Sequence, residues 1–189
     1  VLAAINGALI TDAFDDTPYS QAALPQLKDG KPQYMAPNVD TQEAIYQAIM
    51  KSLDDAIVDL PKGDAKDKVG SYDFIYKGDG AKWIKLAYGL KARYTMRLLA
   101  RSKNREADLQ KVLEYVDKSF KSIDDQAAYA IYDANNINPL FGFQWSRDGL
   151  AASKSYSDKL IERKDPRLRR FFCIGQDHLP KGATSVSIQ

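Results

Sequence analysis

The chain has 189 residues, 44% hydrophobic and 28% charged, which suits one domain or one large piece of a domain. Its 27 Lys and Arg stand against 25 Asp and Glu, a net charge of +2 with acids spread as widely as bases, and this argues against a nucleic-acid partner. A single cysteine, Cys173, excludes an internal disulfide, and with the single histidine, His178, it cannot build a zinc site of the usual His/Cys kind.

In chain order, VLAAINGALITDAF (1–14) reads as a helix that starts mid-pattern, with no initiating Met and no signal segment before it. No run approaches the roughly 20 apolar residues of a transmembrane helix. Asp12, Asp15 and Asp16 are oxygen donors of the kind calcium takes, but they lack calcium-loop spacing and read as helix-end and turn residues. Residues 15–39 carry Pro18, Pro25, Pro32 and Pro37 and cannot be regular helix, and Tyr19 and Tyr34 there read as packing pins. DTQEAIYQAIMKSLDDAIVDLP (40–61) is the second helix. Asp40 or Thr41 can cap it, Glu43 sits where a capping-box acid would, and Ile45, Ile49, Leu53, Ala56 and Leu60 recur at helical spacing up to Pro61. In the charged stretch 61–80, YDFIY (72–76) reads as a short extended piece.

Asp79 is an N-cap for the third helix, in which Trp83, Ala87, Leu90, Tyr94 and Leu98 form one apolar stripe. Lys82, Arg93 and Arg97 lie together beside it, so the basic residues form a flank toward solvent or neighbouring loops, and the helix is scaffold. Asn104 caps a fourth helix with Leu109, Val112, Leu113, Val116 and Phe120 on one face, and the connection at 102–104 forces the two helices to fold back on each other. Residues 124–133 and 150–163 are shorter helix candidates, the second ending near Asp165 and Pro166, and 134–149 read as loop. No strand pattern repeats. The expected fold is all-α: tetratricopeptide-like helix pairs with long irregular loops, in one helical domain over 1–189.

Residues 72–99 resemble a signature of the SusD/RagB-like family, the surface-exposed nutrient-binding lipoproteins of Bacteroidetes. Asp73, Ile75, Tyr76, Gly78, Asp79, Lys82, Trp83, Ala87, Leu90, Lys91, Arg93, Arg97 and Leu98 match that signature as they stand, while Tyr88-Gly89 replaces its usual Asn-Ser. TDAFDDTPYSQA (11–22) is similar to the family's helix end and Pro-Tyr loop, with Asp15 where Gly is usual. ERKDPRLRRFF (162–172) is similar to its Asp-Pro-Arg segment. The resemblance implies a protein without cofactors, lipid-anchored through an N-terminal cysteine absent from this chain. Such a protein sits over a TonB-dependent SusC-like transporter in the outer membrane and holds an oligosaccharide, or in some relatives a peptide, for import. Complete members are considerably longer, which makes this chain an internal fragment.

The signature residues are mostly structural, so ligand contacts must be argued from chemistry. A sugar offers apolar C–H faces and many hydroxyls, and recognition wants flat aromatics beside amides, carboxylates and guanidinium groups. ANNINPLFGFQWSRDG (134–149) supplies that mixture. An extended backbone would put Phe141, Phe143 and Trp145 on one side, with Asn138, Arg147 and Asp148, and also Asn135, Asn136 and Gln144, able to bond hydroxyls. The structural alternative is that these aromatics plug a groove between helices. Nothing singles out a catalytic carboxylate pair, and no Walker-type loop is present, so the expected role is binding without catalysis. The rival reading is a helical-repeat module that binds a protein on its concave surface.

Overall fold

The computed structural model describes residues 1–22, 27–28, 30–63, 70, 72–128, 137–147, 153–168, 172–173 and 187–188. They fall into two compact units, Val1–Ala130 and Ile131–Gln189. The fold is all-α. Helices α1 (Leu2–Phe14), α2 (Gln42–Asp59), α3 (Gly80–Arg97) and α4 (Arg105–Lys118) build the first unit, and α5 (Pro139–Arg147) and α6 (Lys154–Glu162) belong to the second. Among the described residues no helix is long and apolar enough to cross a membrane.

Small side chains let α1 lie close to its partner. Ala4, Gly7, Ala8 and Thr11 are its buried positions, and α2 supplies Ile45, Ile49 and Leu53, each at most 1% exposed. A Cβ on Gly7 would stand 2.9 Å from the Tyr19 ring, so this glycine makes room for Tyr19, which packs against the core as a pin. Residues 15–22 then return to α2 through an antiparallel bridge, Thr17 opposite Asp40 and Pro18 opposite Val39. Here the structure chooses between the two expected caps. Thr41 accepts the Ala44 N–H, while the Asp40 carboxylate is taken by the N–H groups of Tyr19 and Ser20, at 3.0 and 2.7 Å, and by the Ser20 hydroxyl. With Thr41 as cap, Glu43 is the second helical residue, so no capping box forms; its charge still favours the helix N-terminus.

Asp79 caps α3 by accepting from Ala81 and Lys82, and Asn104 caps α4 by accepting from Ala107. Ala87, Leu90 and Tyr94 of the α3 stripe are buried, with Trp83 and Leu98 packed at its edges. The basic flank is less solvated than the sequence suggests. Lys85 pairs with Asp125 at 2.8 Å, Lys82 donates to the Asp124 carbonyl at 2.9 Å, and Arg97 pairs with Asp12 of α1. Arg93 is exposed, but Lys91 is buried; it pairs with Asp54 of α2 and lies 4.5 Å from the centre of the Tyr115 ring. Burial alone would push the Lys91 pKa down, but the Asp54 carboxylate and the Tyr115 hydroxyl together outweigh it and hold the ammonium above the usual lysine range. The helix is a scaffold whose cations tie it to its neighbours.

Three local expectations are corrected. YDFIY is a set of turns, for a reason given below. Residues 123–125 form a single 3-10 turn, closed by Ser122 and Asp125, and 126–128 are irregular; the rest of the 124–133 candidate lies outside the described residues. The fourth helix ends at Lys118, so Phe120 lies beyond it with its ring beside Gly89 of α3, while Leu109, Leu113 and Val116 on α4 remain 38%, 61% and 50% exposed.

In the second unit α6 falls inside the expected 150–163 but starts later, at Lys154, with Ser153 as its cap accepting from Tyr156 N–H and with Ser157 and Leu160 buried; residues 150–152 lie outside the described residues. Its end is a Schellman turn: Asp165 N–H reaches the Leu160 carbonyl, Lys164 N–H reaches that of Ile161, and Lys164 takes φ 49°. Phe172–Cys173 pairs antiparallel with Ser187–Ile188. The Cys173 side chain and His178 lie outside the described residues.

Candidate functional site

The signature residues of 72–99 assemble a structural device around one carboxylate. Asp73 accepts from the backbone N–H groups of Ile75 and Tyr76, each at 3.0 Å, and of Gly78 at 2.9 Å, and from the indole Nε1 of Trp83 at 2.6 Å. Partial burial pushes its pKa up, but these four donors outweigh that and hold it below the usual carboxylate range. With its N–H groups captured by Asp73, the segment cannot offer them to a strand. The turn closes through Lys77 at φ 54° and Gly78 at φ 81°, the left-handed region where glycine is at home. Tyr76 then stacks edge-on against Trp83, with ring centres 5.2 Å apart, and donates its hydroxyl to the Asp125 carbonyl at 2.8 Å.

Asp125 is the second hub. Its side chain takes Lys85 Nζ and, at 2.8 Å, the Lys121 N–H, and its pKa is lowered to about 2, chiefly by the Lys85 hydrogen bond. Between the two hubs lies an open depression of about 510 Å³, lined among others by Lys77, Lys82, Ile123 and Gln126. Among the described residues that line it the one aromatic, Tyr76, is buried and presents no flat platform to a sugar. Asp12 and Asp16 are likewise committed: Asp12 accepts from the Tyr46 hydroxyl at 2.6 Å and pairs with Arg97, and Asp16 accepts from Gln42 N–H. Among the described residues no group of three or more His, Cys, Asp or Glu side chains is placed to hold a metal ion.

The candidate ligand stretch is where the structure changes the reading most. Residues 139–147 are a helix, α5, so the three aromatics do not share one side. Pro139 stands at the first helical position, where its missing N–H costs nothing, and the Asn138 carbonyl accepts from Gly142 N–H at 2.8 Å. A Cβ on Gly142 would lie 2.6 Å from Ile137 Cδ1; the glycine lets Ile137 fold back onto the helix. At about 100° per residue, positions 141 and 145 fall on one face and position 143 on the opposite one. Phe143 is 47% exposed, and Ser146 and Arg147 beside it are exposed as well. Position 147 lies one turn beyond 143, which places an aromatic ring and a guanidinium on the same outward face. Asn138 is exposed just before the helix. The side chains of Phe141, Gln144 and Trp145 lie outside the described residues, as do Asn135, Asn136 and Asp148 altogether.

Neither hub is marked as such in the sequence: Asp73 matches the signature with no role attached, and Asp125 falls inside a helix candidate. For Asp73 the available signal was a short-range Gly, Gly78, in a segment where an Asp side chain can organise a turn; Asp125 has no such mark.

Comparison with known proteins places these features in context. The SusD-like family described as "Starch-binding associating with outer membrane" matches residues 1–185. A SusD/RagB family protein from Bacteroides thetaiotaomicron is 54% identical, with a TM-score of 0.77 over 89% of this chain and 33% of its own. A SusD homolog from Bacteroides uniformis is 25% identical, with a TM-score of 0.66 over 99% of this chain and 38% of its own. A chitin-binding protein is 26% identical, with a TM-score of 0.62 over 88% of this chain and 34% of its own. The chain thus spans about a third of the length of these solved relatives. No curated protein matches it.

Proposed function

The chain belongs to the SusD-like family, and on that premise we propose that it is part of a non-catalytic nutrient-binding protein of the outer-membrane surface. That protein is a lipoprotein that holds an oligosaccharide and delivers it to a TonB-dependent SusC-like transporter. The family description names starch and one solved relative is a chitin-binding protein, which supports an oligosaccharide over a peptide.

Within the chain, the reading is carried by the outward face of α5, where Phe143 stands half exposed one turn before Arg147. The ring supplies a flat apolar surface for the C–H face of a pyranose, and the guanidinium supplies several donors in one plane for hydroxyls. Phe143 and Arg147 are therefore the leading contacts. Asn138, Phe141, Trp145 and Asp148 are proposed as flanking contacts, reached by a ligand that extends past one end of the helix.

The test is titration of the full-length protein with malto- and chito-oligosaccharides and with peptides, read by calorimetry. One sugar class should bind saturably, and Phe143→Ala should weaken it about tenfold, equivalent to about 1.4 kcal/mol, with helical circular dichroism unchanged. Sugar binding indifferent to Phe143→Ala and Arg147→Ala would remove α5 as the platform. Binding of peptides alone would replace the oligosaccharide.

A further inference from the structure

From Lys82 to Arg105 the chain carries eight Lys and Arg and no Asp or Glu, so any acid that pairs with these cations must come from another element. Four of them find partners: Lys82 the Asp124 carbonyl, and Lys85, Lys91 and Arg97 the carboxylates of Asp125, Asp54 and Asp12. The other four, Arg93, Arg101, Lys103 and Arg105, are exposed and make no hydrogen bond or ion pair through their side chains among the described residues. They belong to one exposed tract. Arg93, Met96 and Arg97 lie on one face of α3 at steps of three and four residues. Ala100 and Arg101 follow on the 3-10 turn that prolongs the helix, and Lys103 and Arg105 stand where the hairpin turns into α4. Helix dipoles account for only part of this charge. A cation is favoured in the last turn of α3, but Arg105 is the first residue of α4, where a cation is disfavoured. Unpaired like charges also repel one another, a cost that a purely structural role leaves unexplained.

We propose that the tract from Arg93 to Arg105 docks on the phosphate groups of an anionic lipid surface, an inference that rests on the outer-membrane placement proposed above. The occupant follows from charge and shape. A protein interface has an apolar, close-packed centre inside a polar rim. Here Met96, 48% exposed, is the only exposed large apolar side chain. A nucleic acid asks for exposed rings on which its bases stack, and the one aromatic of the tract, Tyr94, is buried. A lipid surface presents phosphates at every spacing, so long flexible cations reach them without a shaped pocket, and Met96 is free to enter the boundary below the headgroups. Each basic residue beside such a surface strengthens binding about fivefold.

The experiment takes the full-length polypeptide without lipid modification, so that only the protein surface can hold it, and measures flotation with phosphatidylcholine vesicles that contain or lack phosphatidylglycerol. The expected result is flotation with the anionic vesicles alone, weakening as added salt screens the charges. Arg101→Gln with Lys103→Gln should lower the partition coefficient about 25-fold, with helical circular dichroism unchanged, and Arg93→Gln with Arg105→Gln should do the same. Lys51→Gln with Lys62→Gln removes equal charge from lysines already paired with Asp55 and Asp59, and should change binding by less than about twofold. Absence of flotation, flotation indifferent to both Arg/Lys pairs, or an equal loss in the Lys51 and Lys62 control would each overturn the proposal. Capture by an oligoglutamate peptide without flotation would put an acidic protein in place of the lipid. Oligosaccharide titration should be the same in these variants as in the parent, so loss of vesicle binding leaves the sugar reading standing, and loss of sugar binding leaves this one standing.

Discussion

Four donors converge on the Asp73 carboxylate, and each is otherwise hard to satisfy: three backbone N–H groups in a tight turn and one indole N–H at the edge of the core. Asp73→Asn keeps the volume but replaces an acceptor-only group by one that turns a donor toward donors. Hydrogen bonds to charged groups contribute about 1.5–3 kcal/mol, so the variant should lose about 2–3 kcal/mol in urea denaturation, with a shift in Trp83 emission. A loss within error would mean that the turn is held by packing alone. Asp125 adds a dependence on pH. Its folded-state pKa of about 2 lies below the ordinary carboxylate value, so the unfolded chain takes up the proton first as pH falls. Its stabilising contribution is complete above about pH 4 and disappears as pH falls through about 2. Asp125→Asn should therefore be less stable than the parent at neutral pH and show a flatter decline below about pH 4, measured as urea midpoints across pH. Asp15 makes the opposite kind of case, because it ends α1 at φ 62° and ψ −121°, where a side chain is strained. Asp15→Gly should raise stability by about 0.5–1 kcal/mol, the relief of strain exceeding the added freedom of the unfolded chain.

At Gly89, α3 comes close to the end of α4. A Cβ on Gly89 would stand 2.7 Å from the Ser119 hydroxyl, which donates to the Lys85 carbonyl, but 3.9 Å from the Ser119 Cβ. Gly→Ala inside a helix ordinarily gains about 1 kcal/mol. Here Gly89→Ala should lose stability in the parent and gain it in a Ser119→Ala background, a reversal that a thermal-melt double-mutant cycle would reveal. The departure from the family's Asn-Ser thus has a local cause: Gly89 admits Ser119, and Tyr88 faces Tyr115 with ring centres 6.3 Å apart. At this scale much was legible in the sequence. Thr41, Asp79 and Asn104 announced α2, α3 and α4, because a short polar side chain before an apolar period has few other uses. Where reading failed, one pattern served two structures. Phe141, Phe143 and Trp145 satisfy a strand's alternation, yet 141 and 145 equally satisfy a helix's four-residue step, and Pro139 at the first turn decided for the helix. The YDFIY residues favour strand, but the Asp73 carboxylate took the N–H groups that a strand needs.

For the molecule as a whole, helical class and family were legible because burial and capping repeat along the chain, while the ligand face was not. Periodicity reports what is turned inward, and both a sugar platform and an idle surface leave it unchanged. That is why Phe143 could be nominated from its neighbours but not oriented until α5 was seen. The exposure of Leu109, Leu113 and Val116 on α4 was hidden for the same reason, since an apolar stripe looks alike whether or not it is covered. The spacing of the helices has a further consequence, for the order in which the first unit assembles. Only residues 98–104 separate α3 from α4, whereas 15–41 separate α1 from α2. Closing a longer loop costs little extra at equilibrium, about 0.6 kcal/mol per doubling, but that entropy is lost before any α1–α2 contact rewards it. The α3–α4 hairpin, pinned at its start by the Asp73 turn, should nucleate folding, with α1 docking late. In stopped-flow experiments Leu90→Ala should then slow refolding, while Ala8→Gly should mainly hasten unfolding; the reverse partition would place the nucleus at α1. The residues that identify the family would then also be the ones around which this unit begins to fold.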